Sequence, residues 1–126
     1  MKPEDKELLI KDLCARLPYG IKASYYEVEE ECETWNEIEG VTLGEDFGGY
    51  VEIGQYSLPI ECIKPYLFPL SSMTEEEKSM YEGLMIGTDN ISYMLDVVDW
   101  LNAHHFDYRD LIDKGLAFDA TGLNIY

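Results

Sequence analysis

Positive charge is what this sequence has least of. Nine lysines and arginines stand against 26 aspartates and glutamates, for a net charge of −17. Affinity for a phosphate backbone comes largely from cations that displace counterions, so direct nucleic-acid binding is disfavoured. Long apolar runs are missing as well. None approaches the roughly 18 residues of a membrane-spanning helix, and no membrane association is expected. The opening residues, Met1 to Glu7, lack the apolar centre of a signal peptide, which makes the cytoplasm the expected compartment. Only three cysteines occur, Cys14, Cys32 and Cys62, an odd number with no C-x-x-C pair, so buried free thiols are expected.

What is present fits a globular chain. A length of 126 residues suits one domain, 1–126, which at this size buries roughly two-thirds of its unfolded surface. A composition 46% hydrophobic and 13% aromatic excludes a disordered segment. Charge is spread unevenly. Residues 1–18 balance four acids with four bases, whereas residues 19–40 hold seven glutamates against Lys22 alone.

The expected fold class is α+β: an N-terminal helix, a small curled antiparallel sheet of three to five strands, and two or three C-terminal helices. Residues 3–17 show a helical stripe of Leu8, Leu9, Leu13 and Leu17, with Asp12 and Arg16 assigned to the outer face and Pro18 as the stop. From Gly20 the period drops to two. A phase change after Tyr25 predicts a bulge, Asn36-Glu37 a turn, and Gly54-Gln55 a type II′ hairpin. Pro59 marks an edge strand. Residues 64–72, apolar and twice interrupted by proline, read as a packed crossing segment.

Thr74 and Glu77 form a capping box for a helix ended by Gly83 and Gly87. Ile91, Met94, Leu95, Val98 and Leu101 then recur at helical spacing, with Asp89 as the cap. Val97 and Trp100 widen that face enough to place this helix mid-core. A shorter helix is expected from Asp107 to Gly115, with Leu116 folding back onto Leu111. The tail from Leu116 reads as a last strand or ordered coil.

Two segments, Ile63-Lys-Pro-Tyr-Leu-Phe-Pro-Leu-Ser-Ser-Met-Thr-Glu-Glu-Glu-Lys78 and Trp100-Leu-Asn-Ala-His-His-Phe-Asp-Tyr-Arg-Asp-Leu-Ile-Asp-Lys-Gly-Leu-Ala117, carry a resemblance. They are similar to a group of small uncharacterised proteins encoded in prophages and conjugative elements of gut anaerobic bacteria. The resemblance covers about the C-terminal half and implies a bacterial, intracellular, mobile-element context. It brings no activity, ligand or catalytic residue.

Chemistry is sparse. His104 and His105 are the first place to look, with Asp107 able to orient one ring. Yet adjacent helical residues point about 100 degrees apart and no H-x-x-x-H partner exists, so the pair more simply closes a helix end. Gly44 to Gly49 lacks the lysine of a phosphate loop. No cysteine has the surroundings of a nucleophile, and no metal or other cofactor is implied.

Glu27, Glu29, Glu30, Glu31 and Glu33, with Trp35, have two readings: a solvated edge that discourages strand pairing, or a recognition surface for a basic host or element-encoded protein, anchored by Trp35. The leading expectation is a non-enzymatic accessory or interaction module of a mobile element, acting through its acidic surface and able to mimic the phosphate array of DNA. A small hydrolase or metal-dependent enzyme built on the His104/His105 region is the alternative.

Overall fold

A computed structural model describes residues 1–45, 48–87 and 89–126, so Asp46 and Phe47 of the glycine loop lie outside the described residues. The chain is α+β. Helix α1 (Pro3–Arg16) leads into strands β1 (Lys22–Glu27), β2 (Cys32–Leu43), β3 (Gly49–Ile53), β4 (Tyr56–Pro59) and β5 (Lys64–Pro69). Helices α2 (Glu75–Met85) and α3 (Ile91–Ala103) follow, then two short strands, β6 (Phe106–Asp107) and β7 (Phe118–Asp119).

The sheet has seven strands in the order β4-β3-β2-β1-β5-β6, with β7 also on β5, rather than the three to five expected. It is mixed, because β6 and β7 run parallel to β5. The extra strands are β5, at residues 64–69, whose apolar alternation two prolines mask, and the two-residue β6 and β7 that pair with it. Ala23 pairs with Pro65, and Leu67 is fully buried. β4, which ends at Pro59, is an edge strand as expected.

Hairpin geometry follows the turn chemistry at one place and departs from it at another. Ile53 pairs with Tyr56 across Gly54-Gln55, and Gly54 alone of the two has a positive φ, +60°, as a type II′ turn requires. No turn forms at Asn36-Glu37. Residues 36 and 37 pair with Ala23 and Lys22 inside one continuous strand, and the reversal lies at Val28–Glu31, where Glu31 takes the left-handed conformation. The predicted irregularity in β1 is absent too. The register instead shifts in β2, between Ile38 and Gly40.

One face of the sheet is covered by α1. Leu9 and Leu13 are fully buried in a cluster with Ala23, Ile38, Val51 and Ile53. Asp12 and Arg16, assigned to the outer face, are also fully buried, since they share the three- and four-residue spacing of those leucines. Arg16 Nε donates to Asp12 Oδ2 at 2.8 Å, and Arg16 Nη2 to the carbonyl of Phe106 at 2.7 Å. Cys14 falls off that stripe, and it, Cys32 and Cys62 are exposed free thiols rather than buried ones.

The capping box of α2 forms as expected, Glu77 N–H donating to Thr74 Oγ1 and Thr74 N–H to Glu77 Oε1. Gly83 lies within α2 rather than ending it. α3 is capped by Asn90, whose side chain accepts from Ser92 N–H, instead of by Asp89. Its mid-core placement is also corrected. Val97 and Leu101 are buried with Phe106, with Tyr81 and Leu84 of α2 packed against them, but Ile91 is 76% exposed, so the covered part of α3 is its last turns.

The third helical pattern gives a single closed turn. Asp110 takes φ +58° and interrupts the helix at its start. Its end still forms: Leu116 N–H donates to the Leu111 carbonyl and Gly115 N–H to that of Ile112, the paired bonds of a Schellman stop, with Leu111 and Leu116 both buried.

Candidate functional site

Strand alternation divides β1 and β2 between two faces. Ala23 and Tyr25 point into the core under α1, so Lys22, Ser24 and Tyr26 point away from it. The register sets Glu37, Trp35 and Glu33 opposite those three. The sheet therefore has an open face bearing Glu33, Trp35 and Tyr26, with Trp35 44% and Tyr26 49% exposed.

The acidic run is distributed over this hairpin in three ways. Glu27 builds the turn: its Oε1 accepts from Glu29 N–H at 3.0 Å and from the Tyr56 hydroxyl. That bond to a carboxylate pushes the Tyr56 phenol up to about 12. Glu29, Glu30 and Glu31 form the exposed tip, and among the described residues no lysine or arginine is ion-paired with them. Glu33 is on the open face, 3.4 Å from Ser24 Oγ.

Lys22, the one cation of residues 19–40, is tied elsewhere. Its Nζ donates to the Ile125 carbonyl at 2.7 Å and lies 5.1 Å above the Trp35 ring. It holds Trp35 in place on one side, a cation–π contact, and leaves the tip carboxylates uncompensated.

At Ser24, the strand partner of Trp35, the open face dips into a hollow of about 650 Å³ lined by Ser24, Glu33, Glu61, Lys64, Tyr66 and Phe118 among others. Tyr66 and Phe118 pack ring to ring across β5 and β7, and Lys64 Nζ sits 5.0 Å over Phe118. Glu61 is bridged to Lys6 at 2.6 Å, and that bond holds its carboxyl below the usual range. Sequence reasoning missed this hollow. It needs β5 beside β1 and a parallel β7, neither of which local periodicity reveals; the alternation of Lys64 and Tyr66 was the one available sign.

His104, His105 and Asp107 do not converge on a common point. His104 caps α3, its Nδ1 2.9 Å from the Trp100 carbonyl and its ring tilted against Trp100 with centroids 4.5 Å apart. His105 takes φ +61° and turns to the other side, stacked at 3.7 Å on Tyr126. Burial, aided by the Arg16 charge, lowers His105 to about 4, so it is neutral near pH 7. The Asp107 carboxylate accepts from the N–H groups of Arg109, Leu111 and Ile112, which fully occupies it with shaping the turn. Among the described residues no group of three or more His, Cys, Asp or Glu side chains is arranged to hold a metal ion, and no helix is long and apolar enough to cross a membrane.

No family model, no curated protein and no solved structure matches the chain.

Proposed function

We propose that this chain is a non-enzymatic protein-interaction module that receives a basic partner on the β1–β2 hairpin and the open sheet face beside it. The carrying observation is the exposed tip of Glu29, Glu30 and Glu31, free of any described ion pair, next to the half-exposed indole of Trp35. Unpaired carboxylates raise the encounter rate with a cationic surface, and a partly exposed tryptophan supplies the anchor on which binding energy concentrates. The hollow next to the hairpin carries Glu33 on its wall, but Lys64 already lies over its Phe118 ring, so the tip carboxylates and Trp35 carry the proposal without it.

The mobile-element context implied by the resemblance of residues 63–78 and 100–117 fits a module that engages a host nuclease or DNA-binding protein in place of DNA. A catalytic reading on His104, His105 and Asp107 has no support from geometry: the two rings pack on different partners and the carboxylate accepts from backbone amides.

The test is affinity capture from bacterial lysate at low salt, with the intact chain as bait. A basic, nucleic-acid-binding protein should be retained and released as salt rises. Recovery of no basic protein under these conditions overturns the proposal.

A further inference from the structure

A second surface, on α2 and α3, is unaccounted for by the acidic hairpin. The first turns of α3 carry Ile91, Met94 and Leu95 at i, i+3 and i+4, the spacing of a helix that faces a packed neighbour. They are 76%, 51% and 58% exposed. The stripe continues into Leu101, which is 5% exposed, so one apolar face is covered at its end and bare at its start. The last turn of α2 adds Met85, 43% exposed, and Ile86 beyond it is 80% exposed. Single exposed apolar side chains are ordinary; this many on one helical hairpin mark an interaction site.

The chemistry of the surroundings selects the occupant. Residues 74–103 hold seven acids against Lys78 alone, and three of them adjoin the exposed apolar residues along the chain: Glu82 three before Met85, Asp89 two before Ile91 and Asp99 one helical turn after Leu95. A second copy would bring the same sign to the same place, and the whole chain at −17 repels itself. A partner that is apolar on one side and cationic on its flanks satisfies both the stripe and its acidic margin. Met94 in the stripe and Met85 at the end of α2, unbranched and polarizable, let the face adapt to varied side chains.

We propose that the start of α3, with the end of α2, is a docking face for a basic amphipathic helix of a partner protein. The helix lays its apolar side on Ile91, Met94 and Leu95 and its lysines or arginines against the neighbouring carboxylates. This site goes beyond the hairpin proposal and shares no residue with it.

The experiment titrates the full chain into a labelled amphipathic peptide of leucine and lysine, and into a scrambled peptide of the same composition, by fluorescence anisotropy. The amphipathic peptide should bind and the scrambled one bind far more weakly. Ile91→Asp and Leu95→Asp, both at exposed positions and checked for unchanged circular dichroism, should each weaken binding about tenfold or more. Trp35→Ala should leave it unchanged, which separates this site from the hairpin. No binding, equal binding of the scrambled peptide, or undiminished affinity in both variants overturns the proposal. So does a dimer in light scattering that Leu95→Asp abolishes, because a second copy would then cover the face.

Discussion

Arg16 Nη2 donates to the carbonyl oxygen of Phe106 across 90 residues of sequence, at 2.7 Å. The same guanidinium grips Asp12, one helical turn back, so a buried ion pair on α1 fastens the N-terminal helix to the segment that follows α3. Burial pushes the Asp12 carboxyl up against the opposing pull of Arg16 and Arg109. The pair therefore acts as a joint between halves more than as a large source of stability.

Removing one partner should reveal this. Arg16→Met leaves the buried Asp12 carboxylate with only the looser Arg109 contact at 3.4 Å and should cost about 3–5 kcal/mol in urea unfolding, as breaking a buried pair does. Asp12→Leu with Arg16→Met should restore a good part of that loss. A double variant as unstable as Arg16→Met would contradict the assignment.

The stack of His105 on Tyr126 makes a pH prediction. Folded His105 titrates near 4, below its ordinary 6.5. Between those values the unfolded chain binds a proton at this position and the folded chain does not, so stability falls as pH drops through that window and is fully present above it. His105→Asn, which tolerates the left-handed backbone and cannot titrate, should lose less stability between about pH 7 and about pH 4.5 than the native chain. Parallel stability profiles by urea unfolding would count against the burial of this imidazole.

Two glycines with positive φ should respond differently to alanine. A Cβ on Gly54 would sit 2.7 Å from the Tyr25 hydroxyl, while one on Gly115 meets nothing within 4 Å. Gly115→Ala bears the left-handed strain alone, about 1–2 kcal/mol. Gly54→Ala adds a clash at the β3–β4 turn, and its melting temperature should fall further. Equal losses would mean that Tyr25 moves aside freely.

Local signals read truly wherever neighbouring residues carry the constraint. The Thr74–Glu77 box, the Gly54-Gln55 turn, the edge placement of β4 at Pro59 and the stop at Gly115 all form. Some local signals failed as well, the Asn36-Glu37 turn, the Gly83 stop and the Asp89 cap, but the larger departures depended on distant packing. Asp12 and Arg16 share the leucine spacing of α1, but what satisfies them once buried is an acceptor far along the chain, the Phe106 carbonyl. β5 becomes a central strand because β1, β6 and β7 flank it, which no window around Pro65 and Pro69 contains. The apolar stripe of α3 was correctly seen as helical, but periodicity records that a face is apolar and not whether this chain covers it. At the candidate site the glutamate run and Trp35 were legible; the division of Glu27 from Glu29, Glu30 and Glu31 was not, since it rests on the Tyr56 hydroxyl arriving from β4.

The most direct measurement is a paired capture with two baits, the native chain and Glu29→Lys/Glu30→Lys/Glu31→Lys, whose changes fall on exposed positions of a turn. Each bait would bind a bacterial lysate at low salt and be eluted with a salt gradient. Binding through the hairpin predicts a basic protein held by the native bait, released as screening increases, and missing from the charge-reversed bait. The same protein retained equally by both, with elution indifferent to salt, would contradict it.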